Sequence, residues 1–337
     1  MRPAALSALL LLALVQGAEA DYRDHPKTAE LHQRLVRDYG FSEADLAKVD
    51  DALAQAEQLP QLIQAERQNK ETTSVYWDDY RALHVFPKQA ERGLQLLQDY
   101  APYFERAEAE YGVPPPVIAA VMGVETKYGS YTGKHRVLDA LVTQGYEHPT
   151  RQPFFFGELA AYFAFCRNFG FEPTAVKGSY AGAVGAAQFM PSNYLNLAVD
   201  YDGDGRVDLW SIPDAIGSIA RYFNTYVPPD RPAMHWRRGE PLLAPVRTVN
   251  LNSRAPERNL RKPNATIAGW QQFGVESAAE LSPDLPAGLV ELPRPNGPEY
   301  WLALPNFYAV MSYNPRIFYA MAVTQLAAEL QQAQTGS

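Results

Sequence analysis

Between Val113 and Gly129 the chain reads VPPPVIAAVMGVETKYG, a stretch that leaves little freedom in how the remaining elements can be arranged. Proline is tolerated in the first turn of a helix and not further in, so Pro114, Pro115 and Pro116 close one helix and pre-set the start of another. The residues that follow are apolar on nearly every side. Such a helix offers no face to water and must be surrounded by other elements. Glu125 sits inside it. A carboxylate in that position is paired, neutral or working, because burying an isolated charge is costly. No basic residue precedes it within a turn, and Lys127, two positions on, faces a different side of a helix.

The flanking sequence supplies the surroundings. From Lys27 to Tyr111 runs such as LHQRLVRDYG and AERGLQLLQDYAPYFERAEAEYG carry apolar residues at helical spacing. Ser42, with Asp45 three residues on, reads as a helix N-cap. Between these helices Thr73 to Pro87 is aromatic and β-prone, a short hairpin or an extended lip. Helices are expected over Gly157 to Phe169 and Asp214 to Tyr226. After Pro228 the pattern breaks into short β-like runs, LLAPVRTVN and the pair VELPRPNGPEYWLALP, in which Asn296-Gly297 is a turn signal. Asn306 to Leu330 returns to helix. The fold class is therefore α+β, mainly α, with an N-terminal helical region over 21–110, a core over 111–230, a small β-containing insertion over 231–300 and a C-terminal helix over 301–337 that packs back on the core.

Residues 1–20 have the pattern of a signal peptide: Arg2, an apolar run to Val15, then Ala18-Glu19-Ala20. That run is short for a membrane span, and no later segment offers one. The only cysteine is Cys166, so there is neither a lipid-anchor cysteine near the leader nor an internal disulfide, and Cys166 reads as a buried apolar filler. A soluble protein exported to the periplasm is expected. The net charge of -8 argues against a nucleic-acid partner. Twenty tyrosines, fifteen phenylalanines and five tryptophans suit a groove that stacks sugar rings, although most belong in a core on any reading. Scattered histidines, His84, His135, His148 and His235, suggest no metal.

From Asp200 to Asp208 oxygen donors fall at alternate positions, Asp200, Asp202 and Asp204, with Gly205 at the sixth for a sharp turn and the Arg206 carbonyl at the seventh. This is the opening of an EF-hand-type calcium loop. At the twelfth position Ser211 stands where such loops place a bidentate glutamate. The alternative is a solvated acidic turn.

Gly123-Val124-Glu125-Thr126-Lys127-Tyr128-Gly129, followed by the run from Lys177 to Ser192 (KGSYAGAVGAAQFMPS), resembles the membrane-bound lytic transglycosylase B family. The likeness extends to DYDGDGRVDLW, DAIGSIARYF and NFYAVMSYNPRIFYAMAV. It implies a goose-lysozyme-like core acting on peptidoglycan at the β-1,4 bond between N-acetylmuramic acid and N-acetylglucosamine, leaving 1,6-anhydromuramic acid ends. On that resemblance Glu125 is the catalytic acid and then base. Ser179 and Gln188 bind substrate near the cleaved bond, and Tyr80, Phe189, Tyr222, Tyr313, Asn314 and Tyr319 line the groove, with core packing an equal alternative for Phe189 and Tyr319. The family closes its calcium site with an aspartate at the start of the next helix, here Asp214, so the implied ligands are Asp200, Asp202, Asp204, Arg206 and Asp214, with calcium structural and no organic cofactor. Implied partners are glycan strands and other cell-wall enzymes, with the chain a monomer. A hydrolysing muramidase and a non-catalytic wall-binding protein are the competing readings. Loss of Glu125, Ser179 and Gln188 would mark the latter, and all three are present.

Overall fold

The computed structural model describes residues 22–68, 76–229 and 232–336. The expected leader over 1–20 lies outside the described residues, as does the beginning of the aromatic segment, Thr73 to Val75. Helices dominate what is described, and the β part is a single five-stranded antiparallel sheet beside a two-stranded one.

Among the described residues six α-helices precede the apolar one: α1 (Thr28–Tyr39), α2 (Glu43–Leu53), α3 (Pro60–Gln68), α4 (Trp77–His84), α5 (Pro87–Asp99) and α6 (Ala101–Tyr111). The Ser42 cap forms as its sequence suggests. Its Oγ accepts the Asp45 N–H at 3.2 Å while Asp45 Oδ2 accepts the Ser42 N–H at 3.0 Å, so two orphan donors are satisfied reciprocally. The aromatic segment departs from expectation, because its described part is helix α4 and neither hairpin nor lip. β-propensity is largely a preference for half-buried surroundings. Here Trp77 buries itself in a helix, 1% exposed and edge-on to Phe318 with ring centroids 5.5 Å apart.

The apolar run forms α7 (Pro115–Thr126), with Pro116 to Gly123 buried throughout. It packs against α5, α6, α11 (Ile212–Thr225) and α14 (Ile317–Thr335), which together give it the enclosure its sequence demands. Beyond it come α8 (Val137–Glu147), α9 (Gln152–Phe169) and α10 (Pro191–Leu197), while the short strands β1 (His135–Arg136) and β2 (Lys177–Gly178) pair antiparallel. One hydrophobic core joins N-terminal, central and C-terminal elements through side chains such as Leu35, Phe104, Met122, Leu159, Ile216, Phe307 and Leu326.

The sheet consists of β3 (Leu243–Val249), β4 (Ala265–Thr266), β5 (Val275–Ser277), β6 (Pro286–Leu292) and β7 (Glu299–Ala303), in the order β4-β6-β7-β3-β5, with helix α12 (Ile267–Gln272) after β4. β6 and β7 form the expected hairpin, with Val290 opposite Trp301 and Gly297 at φ 107 in its turn. Its last strand runs on to Ala303, beyond the expected end of the insertion at residue 300. The sheet has its own small core around Trp270, whose indole N–H donates to Ala287 O at 3.0 Å.

The C-terminal segment is two helices where the sequence reading has one: α13 (Pro305–Tyr313) and α14. Pro315 has no N–H to donate and its ring disfavours helical backbone in the residue before it, so Asn314 is extended at φ -141, ψ 116 and the chain turns there.

Candidate active site

Glu125 occupies the last turn of α7, and the helix stops immediately after it. Lys127 and Tyr128 both adopt left-handed backbone, φ 51 and 63, which side chains with a Cβ resist, and Gly129 follows at φ 79. Local bonds hold this turn. Lys127 N–H donates to Gly123 O at 3.1 Å and Tyr128 N–H to Met122 O at 3.0 Å. The Thr126 hydroxyl accepts the Gly129 N–H at 2.9 Å and lies 3.0 Å from Ala186 O, which ties the helix end to the glycine-rich turn. Tyr128 OH donates to Gln89 O at 2.8 Å, and Gln89 Nε2 donates back to Gly123 O at 2.6 Å.

The Glu125 side chain keeps partial contact with solvent while its carboxyl is surrounded by protein, and desolvation pushes its pKa from 4.5 up to about 7. The one opposing influence is the Tyr319 hydroxyl, close enough to favour the carboxylate but buried and outside the geometry of a formed hydrogen bond. Among the described residues no cation and no second carboxylate acts on Glu125. Tyr80 on α4 and Tyr313 at the end of α13 are raised in turn by their own burial first and by Glu125 next. Three tyrosines from three helices thus surround one carboxyl.

Across from it, the glycine-rich run is a tight turn closed by paired bonds between Val184 and Phe189, N–H to O at 2.9 and 3.1 Å. Gly185, at φ 70, has no room for a side chain: a Cβ there would stand 2.6 Å from Leu209 O. Ser179 is half-buried, and its Oγ accepts the Ala183 N–H at 3.0 Å. Gln188, left-handed at φ 49, uses Nε2 on Thr132 O and Gly185 O, both at 3.0 Å. Asn314 is half-buried next to Tyr313. Phe189 is 1% exposed and packs 5.7 Å from the Tyr222 ring, which places it beneath the groove as core. Tyr222 and Tyr319, 3% and 2% exposed, also lie mostly under the surface, Tyr222 donating to Ser312 O at 2.7 Å.

In the acidic loop, Asp200, Asp202 and Asp214 bring carboxylate oxygens within 4.8 Å of one another. Asp204 is outside that group; its Oδ1 accepts the Arg206 N–H at 2.8 Å. Asp214, 1% exposed at the start of α11, accepts the N–H groups of Tyr201 at 2.6 Å and Asp208 at 2.7 Å, and its carboxyl is raised mainly by burial. Three convergent carboxylates are a donor set that suits a hard cation such as calcium.

Sequence reasoning missed Thr126 and Gln89, which brace the strained turn beside Glu125. Thr126 stands inside the quoted motif, so its adjacency was a usable signal. Gln89 lies on an ordinary amphipathic helix and nothing in its neighbourhood marks it. Cys166 is buried as expected, which drives its thiol up to about 12.

Against known proteins, the chain matches the model of the transglycosylase SLT domain over residues 23–328. It is 35% identical over 315 residues to membrane-bound lytic murein transglycosylase B of Escherichia coli (strain K12), covering 91% of this chain and 83% of that protein. The Escherichia coli lytic transglycosylase Slt35, solved in complex with calcium, superposes with a TM-score of 0.80 at 33% identity, covering 94% of this chain and 96% of that one. SltB3 from Pseudomonas aeruginosa, solved in complex with NAG-anhNAM-pentapeptide, gives 0.73 at 29% identity over 90% of this chain and 78% of that one. The chain therefore belongs to the transglycosylase SLT domain family, and it is a lytic transglycosylase of peptidoglycan.

Proposed function

We propose that Glu125 carries the reaction alone, first protonating the glycosidic oxygen between N-acetylmuramic acid and N-acetylglucosamine, then taking the proton of the muramyl 6-hydroxyl as that oxygen attacks its own anomeric carbon. The product is a 1,6-anhydromuramic acid end. The observation that carries this reading is a carboxyl desolvated to a pKa of about 7 with, among the described residues, no second carboxylate acting on it. A general acid near neutrality needs such a pKa. Hydrolytic glycosidases usually pair two carboxylates about 5 to 9.5 Å apart, one of them to activate water or attack the sugar. Here the neighbours are the tyrosines Tyr80, Tyr313 and Tyr319, and the adjoining motifs add amides and hydroxyls, none of which is a competent base at neutral pH. The tethered 6-hydroxyl is then favoured over free water by effective concentration.

In this reading residues 111–230 are the catalytic core. Ser179, whose oxygen already accepts one N–H, gives its own proton to a substrate oxygen, and Gln188, with Nε2 engaged, presents its amide oxygen to a sugar hydroxyl. Tyr80, Tyr313 and Asn314 wall the groove. Asp200, Asp202 and Asp214 would hold calcium, which pins the loop to the start of α11 without touching the reaction; the Slt35 calcium complex supports that assignment. The leader-like N-terminus supports a periplasmic location, and among the described residues no helix is long and apolar enough to cross a membrane.

Mass spectrometry of digested peptidoglycan sacculi tests the reading. Released muropeptides should be lighter by one water than hydrolytic ones and resist borohydride. A predominance of reducible muramic acid ends would leave a hydrolysing muramidase on the same core.

A further inference from the structure

The turn between β6 and β7 reaches across to α4, the helix that carries Tyr80. Arg294 in that turn grips Asp78 with both arms of its guanidinium, Nε to Oδ2 at 3.1 Å and Nη2 to Oδ1 at 2.8 Å. Its Nη1 lies 2.6 Å from Glu299 Oε2 on β7, and the other oxygen of Glu299 accepts the Trp301 indole N–H at 2.6 Å. Beside this fork, the backbone N–H of Trp77 donates to Pro293 O at 2.9 Å. Beside the fork α4 is also tied to α14, where Arg81 donates to Gln325 at 2.7 Å and Glu329 at 2.9 Å. An eight-residue helix is too short to hold its own geometry, so its placement depends on such external bonds.

We infer that the sheet insertion acts as a clamp on the wall of the groove, with Arg294 a positioning residue for Tyr80. Helical spacing makes this possible: Trp77, Tyr80 and His84 share one face of α4, while Asp78 and Arg81 share another that is free to take the clamp. Trp77 is buried against Phe318, and Tyr80 rests on the same ring at 5.6 Å, so a shift of α4 relative to the hairpin moves Tyr80 relative to Glu125. Exposed ion pairs stabilise a whole fold little. A bidentate guanidinium–carboxylate fork fixes orientation, however, and its loss is felt where orientation matters.

The inference rests on the proposed glycan-cleaving site, and its test has one readout that needs no activity. In the full-length protein, Arg294→Ala should speed hydrogen exchange over residues 76–84 while leaving 115–126 protected. Arg258→Ala, which removes another exposed pair of the same insertion (Arg258 to Glu291, 2.8 Å), should leave both segments unchanged. On sacculi, Arg294→Ala should lower kcat/KM about fivefold, mostly through KM, and should cost less than about twofold when Tyr80 is already Ala, the signature of two residues acting as a unit. Arg294→Lys, which keeps the charge without the fork, should restore only part of the loss. Unchanged exchange over 76–84 overturns the clamp whatever the activity. Loosened exchange with a kcat/KM loss that is absent, or equal in the Tyr80→Ala background, overturns the positioning role.

Discussion

At the scale of a residue, Glu125 shows how environment and chemistry are one statement. Its position at the end of an apolar helix desolvates the carboxyl, and in the proposed mechanism that desolvation keeps the proton the leaving group needs at neutral pH. Glu125→Gln should fold and lose activity by roughly 100-fold or more, since an amide neither donates nor accepts that proton. For the native enzyme kcat/KM should fall as pH rises through about 7, where the acid form is lost. Stability follows with a definite sign. Between pH 4.5 and about 7 the folded chain keeps a proton that the unfolded chain has released, so ionising the buried group costs stability as pH rises. The Gln variant has no such cost. Its melting-temperature advantage over the native protein should therefore be absent below pH 4.5, grow up to about pH 7 and stay level above; an offset independent of pH would contradict the buried, protonated carboxyl.

At the scale of an element, the loop from Asp200 to Asp208 and the start of α11 are joined by carboxylates facing backbone N–H groups and one another. Three like charges gathered within 4.8 Å repel unless a cation sits among them. Calcium should raise the melting temperature by linkage, by the equivalent of about 2.7 kcal/mol at a hundredfold excess over Kd. Replacing Asp200 and Asp202 together by Asn should abolish the rise, whereas Asp204→Asn should preserve most of it, because Asp204 lies outside the convergent group. Melts with chelator and with added calcium check this, and equal sensitivity of all three aspartates would give the loop the regular EF-hand ligand order instead.

At the scale of the whole molecule, segments distant in the chain are stitched together by buried polar groups as well as by the core. Asn306, fully buried at the head of α13, accepts the Arg237 N–H at 2.7 Å and donates to Arg237 O at 2.8 Å and Glu240 O at 2.7 Å, so one side chain satisfies three backbone groups 66 to 69 residues away. Leaving buried backbone groups without partners costs about 1–3 kcal/mol each. Asn306→Ala should therefore destabilise by about 3 kcal/mol or more in denaturant titrations, and Asn306→Asp should fail to rescue it, because a carboxylate can accept the N–H but cannot donate to the two carbonyls. A change within 0.5 kcal/mol would mean that water replaces the amide.

The sequence by itself determined the elements whose signals are local: the all-round apolar α7 and its stop, the capping box at Ser42, the Asn296-Gly297 hairpin, the alternating aspartates and the glycine-rich turn. It also pointed to the candidate site, since Glu125, Ser179 and Gln188 stand in short motifs that resemble those of the family. Tertiary structure decided what depends on partners far along the chain. The described part of the aromatic segment became helix α4 as Trp77 packed against Phe318, and β-propensity yields to burial. Asp204 took the Arg206 N–H of its own loop and stands outside the group the other aspartates form with Asp214. Phe189 and Tyr222 went under the groove because the turn that carries one and the helix that carries the other meet there. Gln89 and Thr126 acquired their bracing roles only when α5, the end of α7 and the glycine-rich turn came together, and no periodicity or spacing encodes which carbonyl a buried side chain will reach.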